Sequence, residues 1–212
     1  MTAAVGLGWL AVVISTTMGL PQLFRLVRTR NVEGVSLTAW RLILAMNLAW
    51  TAHGIRISQT PLIVTNALGP LTTVPILYLL ARASGRKVLP TLVPSLVLAA
   101  AAIGVDLAFG SAAYGVAAVG LAVVATVGQS LELIRAPHVR GVAPLFMVLA
   151  MVNQLVWLGW ALLVADPGST ISAVSMASMA AFNLVWYVMR RLGLPAYFAP
   201  AVAPEPAAAS VS

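Results

Sequence analysis

Residues 19–36 read GLPQLFRLVRTRNVEGVS, and residues 126–143 read TVGQSLELIRAPHVRGVA. At an offset of 107 residues the two stretches align without a gap. Gln22 falls on Gln129, Leu26 on Leu133 and Arg28 on Arg135, while Val32, Gly34 and Val35 fall on Val139, Gly141 and Val142. The same offset carries Leu48 onto Leu155 and Trp50 onto Trp157. Leucines match by chance between apolar segments. Trp, Gln, Arg and Gly sharing one offset do not, so the chain reads as an internal repeat.

Each of these stretches follows a long apolar run. Of the 212 residues, 61% are hydrophobic and only 8% charged, where a soluble domain is nearer a quarter charged. So few charges cannot cover a water-soluble fold, and the bilayer is the natural solvent. A spanning helix needs about 20 apolar residues. The charge-poor runs give seven spans, at 5–24, 36–57, 61–81, 88–105, 107–131, 141–165 and 167–189, with Arg41 near the start of the second placed to snorkel to the interface. The first three correspond to the last three, and the odd helix between them lets the second triplet enter the membrane in the same sense as the first. The expected fold is an all-α membrane protein of seven transmembrane helices, two parallel three-helix repeats plus a linker helix. Residues 1–84 form the first repeat, 85–110 the linker, 111–192 the second repeat, and 193–212 a disordered, Pro- and Ala-rich cytoplasmic tail.

The net charge of +7 does not point to nucleic acid. The basic residues lie in short runs between spans rather than along one soluble face. Arg25, Arg28 and Arg30 follow the first span, Arg82, Arg86 and Lys87 the third, Arg135 and Arg140 the fifth, and Arg190 and Arg191 the seventh. The opposite side holds Arg56, Asp106 and Asp166. Lys and Arg favour the cytoplasm, so the N-terminus is expected outside and the C-terminus inside, in a multi-pass protein of the cell membrane. The first residues carry no basic n-region, so the first apolar run reads as a mature helix rather than a cleaved signal. No cysteine is present, which removes disulfides and thiol chemistry.

Gly19-Leu20-Pro21-Gln22, the basic loop with Arg25 and Arg28, and Asn31 through Ser36 together resemble the PQ-loop motif. Downstream, Trp50, Gly54, Pro61 and Asn66 keep the order and spacing of the SWEET and SemiSWEET sugar transporters of the same superfamily. The resemblance covers the first triplet closely and the second loosely. It implies a transporter, with Pro21 as a hinge of the first helix. A proline in a helix removes a backbone hydrogen bond and clashes with the preceding turn, so a static kink is the plainer alternative. The second repeat carries Gly128 at the matching place, beside Gln129.

Trp50 and Trp157 sit at depth, where tryptophan is uncommon. An indole offers a flat apolar face and one N–H, which suits the C–H face of a sugar ring or, alternatively, helix packing. The Asn66 carboxamide can bond two hydroxyls at once, or glue helices together. Its partner at the repeat offset is Ala173, with Ser172 and Ser175 close by, so the expected site is asymmetric. Asn47 and Gln154, equivalent and one turn before the tryptophans, extend the polar lining or bond across helices. His53, one turn beyond Trp50, reads as a proton site or as a neutral donor in an outer vestibule, and the first repeat shows no acid to partner it. Arg56 and Asp166 fall near the same outer rim, where they would form a weak latch or stay two solvated charges. Asp106 and Asp166 read as solvated carboxylates at helix ends.

No paired intramembrane carboxylates, metal cluster or nucleophile–base set is evident, so no enzyme, metal or cofactor is expected. The expected function is alternating-access transport of a small polar solute, in particular a sugar. The rivals are a proton-coupled amino-acid transporter of the PQ-loop group and a non-transporting membrane receptor or assembly factor. Two repeats in one chain can complete a pathway, so a homo-oligomer is allowed but not required.

Overall fold

The computed structural model describes residues 2–32, 35–135 and 144–197, apart from the side chains at 19, 129, 132, 144 and 146. These residues are helical with short connections, and no strand occurs among them. The order is α1 (Ala3–Thr29), α2 (Leu37–Arg56), α3 (Thr60–Leu68), α4 (Pro70–Ala83), α5 (Val88–Arg135), α6 (Pro144–Val164) and α7 (Pro167–Arg191). Five stretches are long and apolar enough to cross a bilayer: α1, α3 with α4, α5, α6 from Met147, and α7. Large apolar side chains such as Val13, Phe24, Leu107 and Phe109 are exposed along these helices, as lipid-facing surfaces require.

Local chemistry sets the ends. α1 stops where Arg30 adopts a left-handed φ of 55° and its N–H returns to the Leu26 carbonyl at 3.0 Å. Ser36 caps α2 by accepting the Ala39 N–H at 3.2 Å. The third expected span is in two pieces, because Pro70 has no N–H to give the carbonyl four residues back. Gly69 at this joint is held close to α2, and a Cβ there would collide with the Asn47 amide.

The fourth and fifth spans differ from expectation. They are two helices that join at Gly110 without a loop, and the φ of 83° and ψ of 179° there suit a residue without a Cβ. The sequence reading divided them at Asp106. An acid in an apolar run looks like a span end, yet here it lies inside the helix and is buried. The expected start of the sixth span at 141, the repeat matches at Gly34, Val139, Gly141 and Val142, and the tail beyond 197 lie outside the described residues.

Packing follows the 107-residue offset. At one end of the bundle α1 meets α3 where a Cβ on Gly8 would lie 2.7 Å from Pro61. α5 meets α7 where a Cβ on Gly115 would lie 2.7 Å from Gly168. These four positions are equivalent in pairs. At the other end Leu26 and Leu80 are buried with Trp40 against them, and the corresponding Leu133, Tyr187 and Met147 form a second cluster. Small residues let membrane helices approach closely without a hydrophobic drive between them. Gly115→Val should therefore force α5 off α7, costing about 1–3 kcal/mol and lowering the thermal midpoint in detergent. Gly120→Ala, with nothing within 4 Å of its Cβ position, should leave that midpoint unchanged or slightly raised.

Candidate functional site

Six helices (α1 to α4, α6 and α7) enclose a cavity of about 780 Å³, and α5 stays outside it. Trp50, Asn66, Asn47, Trp157, Gln154 and Ser172 all line it, as does Gln22. Residues from both ends of the 107-residue offset thus face one space. Ser175 does not line it and gives its hydroxyl to the Ile171 carbonyl at 2.8 Å. Pro21 and Gly128 are exposed and away from the cavity. The Gln129 side chain lies outside the described residues.

The two tryptophans are not equivalent in their hydrogen bonding. The Trp157 indole N–H donates to Ser15 Oγ at 3.0 Å, and Ser15 donates to Asn153 Oδ1 at 2.9 Å. Trp157 therefore presents its ring with its N–H already committed. Trp50 is edge-on to Tyr114, with centroids 4.8 Å apart. Asn66 gives one amide hydrogen to the Leu62 carbonyl at 2.9 Å, which leaves its carbonyl oxygen for a guest. Ser15, Asn153, Thr65 and Ser169 also line the cavity, and sequence reasoning missed all four. Thr65 Oγ1 is buried without a partner among the described residues. A buried hydroxyl left unpaired costs about 1–3 kcal/mol, which a polar guest would relieve.

Among the described residues, Arg25 is the only charged one that lines the space. Arg25 stands with Val35 and Ser36 at the end reached by the α1–α2 connection, and both Arg25 and Ser36 are exposed. The cavity extends to that end.

The opposite end is shut by a buried polar cluster. His53 is fully buried, outside the cavity lining, one turn past Trp50. Its Nδ1 lies 2.8 Å from Asp106 Oδ2 and its Nε2 lies 3.0 Å from Asp166 Oδ2. Arg56 donates to both oxygens of Asp106, from Nε at 2.9 Å and from Nη2 at 2.7 Å. Asp166 caps α7 by accepting the Ser169 N–H at 2.7 Å, and it also accepts the Ser111 hydroxyl. Burial alone would raise the Asp166 carboxyl. The Ser111 hydroxyl, the Ser169 amide and His53 more than offset it and hold the group below the usual aspartate range. The His53 ring stacks on Tyr114, with centroids 4.5 Å apart.

Three expectations are corrected here. Arg56 does not meet Asp166; its partner is Asp106, which α5 carries to the end of α2. Neither aspartate is a solvated helix-end charge, because both are buried and paired. His53 does have partner acids, supplied by α5 and by the start of α7 rather than by the first repeat. The repeat offset places Trp160 opposite His53, and Trp160 is equally buried, with its Nε1 near Gly8. One side of this closure is apolar and the other is charged.

Residues 3–62 match the family model of the PQ loop repeat. No curated protein is similar enough to the chain to count as a relative. The matched segment contains Pro21, Gln22, Trp50 and His53. Several apolar helices long enough to span, together with this match over the first triplet, fit a multi-pass membrane protein.

Proposed function

We propose that this chain, with its PQ-loop match in the first triplet, carries a small, neutral, polar solute, in particular a sugar, across the bilayer by alternating access. One observation carries the reading. Trp50, Asn66 and Asn47 of the first triplet and Trp157, Gln154 and Ser172 of the second converge on one cavity. Flat aromatic faces beside carboxamides and hydroxyls suit a ring with an apolar face and a hydroxylated rim. A charged partner at the centre would favour the carboxylate or ammonium of an amino acid, and among the described residues the lining offers only Arg25, at the mouth.

The architecture we propose has seven spans in a three-plus-one-plus-three order. Its support is the 107-residue offset seen in both close helix crossings and both buried clusters, together with the break at Gly110, which separates a linker helix from the second triplet. α2 is the span that composition alone does not supply. It holds Arg41, whose Nε donates to the Thr91 carbonyl of α5 at 2.8 Å and so stays satisfied. With the N-terminus outside, as the charge bias favours, the mouth at Arg25 and Ser36 faces the cytoplasm, and this is the inward-facing state.

Uptake of labelled sugars, polyols and amino acids into proteoliposomes tests the function. Saturable uptake of a neutral polyhydroxylated solute is the expected result, and saturable uptake of amino acids alone would replace it. Pro21 lies inside α1 but outside the cavity, so its role falls on motion rather than contact. Pro21→Ala should restore one helix hydrogen bond, slow turnover severalfold and leave solute affinity within about twofold. Unchanged turnover would reduce Pro21 to a static kink.

A further inference from the structure

We propose that His53, Asp106 and Asp166 form a proton-binding site that locks the outer end of the pathway, taking up one proton when the three side chains meet and releasing it when they part. That the lock controls a solute pathway rests on the transporter reading; that the cluster binds a proton does not.

The proton count follows from hydrogen-bond parity. A neutral imidazole has one N–H and one lone pair. Here both ring nitrogens face carboxylate oxygens, at 2.8 and 3.0 Å. With His53 neutral and both acids ionised, one of these contacts would set a lone pair against an anion in a buried site. Two arrangements satisfy both contacts. In one, an imidazolium sits between two carboxylates. In the other, a neutral imidazole accepts from one protonated carboxyl. They contain the same number of protons, so the geometry fixes the count whichever atom carries the proton. With that proton, the charges of His53, Asp106, Asp166 and Arg56 cancel. Without it, a negative charge is left in a buried cluster, which is costly.

Three separate parts of the chain supply the site: α2, the first half of α5 and the N-cap of α7. The groups facing His53 are Arg56, through Asp106, along α2, Asp106 and the neutral Tyr114 ring from α5, and Asp166 from α7. Both contacts cannot survive a separation of α2 from α7. The matching position in the second triplet is Trp160, which has no proton to exchange, so the lock exists on one side only.

Proton binding favours the state that binds more protons. Acid should therefore hold the outer end closed and alkali should open it.

The chain lacks cysteine, so spin labels can be placed at Ile55→Cys and Leu163→Cys, both exposed positions near this end. Electron–electron distances are then measured in nanodiscs from pH 5 to 9 without solute. A single short distance is expected in acid. A longer one should grow with pH, the closed-to-open ratio changing by up to about tenfold per unit for a one-proton linkage. His53→Gln, or His53→Asn should the first variant not fold, should abolish the pH response. A flat wild-type titration would overturn the proposal without any variant, as would a variant that keeps the response. If the distances respond to pH but no neutral solute is taken up, the proton site stands and the transporter reading fails.

Discussion

Asn66→Ala should cut saturable uptake by a factor of about 5 to 150 while leaving the protein folded. The size follows from stranding one solute hydroxyl without a partner, at about 1–3 kcal/mol. The folding expectation follows from position. The Asn66 amide bonds only to the Leu62 carbonyl of its own helix among the described residues, so its loss opens no contact between helices. Trp50→Ala should abolish uptake outright, but it confounds two effects. Its indole packs on Tyr114 and His53, and truncating a buried aromatic costs about 3–5 kcal/mol. Trp157→Phe separates ring from N–H. It keeps an aromatic face and frees Ser15, and a loss smaller than that of Asn66→Ala is expected. If Asn66→Ala transports like the wild type, the solute sits elsewhere.

Asp106→Ala should give the largest stability loss of any single change at the closed end. It removes the partner of Arg56 and one of the two partners of His53. Breaking a buried pair from one side costs about 3–5 kcal/mol, and the low end applies because Arg56 is partly exposed and can turn to water. For a chain of this size that is a fall of roughly 6–12 °C in thermal midpoint. Asp106→Asn keeps the shape and much of the hydrogen bonding, so its loss should be clearly smaller. Equal midpoints for the two variants would mean that charge pairing contributes nothing there.

The contrast between the two ends of the molecule shows where sequence reasoning reaches. The repeat offset brought Trp50, Trp157, Asn47 and Gln154 to attention because like residues recur at like positions, and these are the residues that share the cavity. The histidine cluster carries no such mark. Its bonds join residues 53 and 113 positions apart in the chain, and one partner, Asp106, lies in the part of α5 before Gly110, which has no repeat equivalent. A signal was present nonetheless. His53 breaks the symmetry where the second triplet has Trp160, and two of the chain's five acids fall at the same end of the spans. Ser15 and Asn153 were invisible for another reason. Each is a single polar residue on an apolar helix, and only the cross-helix bond between them shows that both face the cavity. The division of α5 depended on a backbone angle. Gly110 and Asp106 are equally plausible breaks in a linear string, and only the left-handed φ at Gly110 selects between them.

The cavity lies at the centre of the proposed cycle, so its access to each face of the membrane is the property to measure. Met46 lines it at the level of Asn47 and Trp50, and Met46→Cys would be the only thiol in the chain. Membrane-impermeant thiol reagents are applied to right-side-out and to inside-out vesicles, with and without transported solute. Alternating access requires labelling from both faces, slowed from both by solute. Labelling from the Arg25 face alone, under every condition, would make the cavity a static vestibule and contradict a transport cycle.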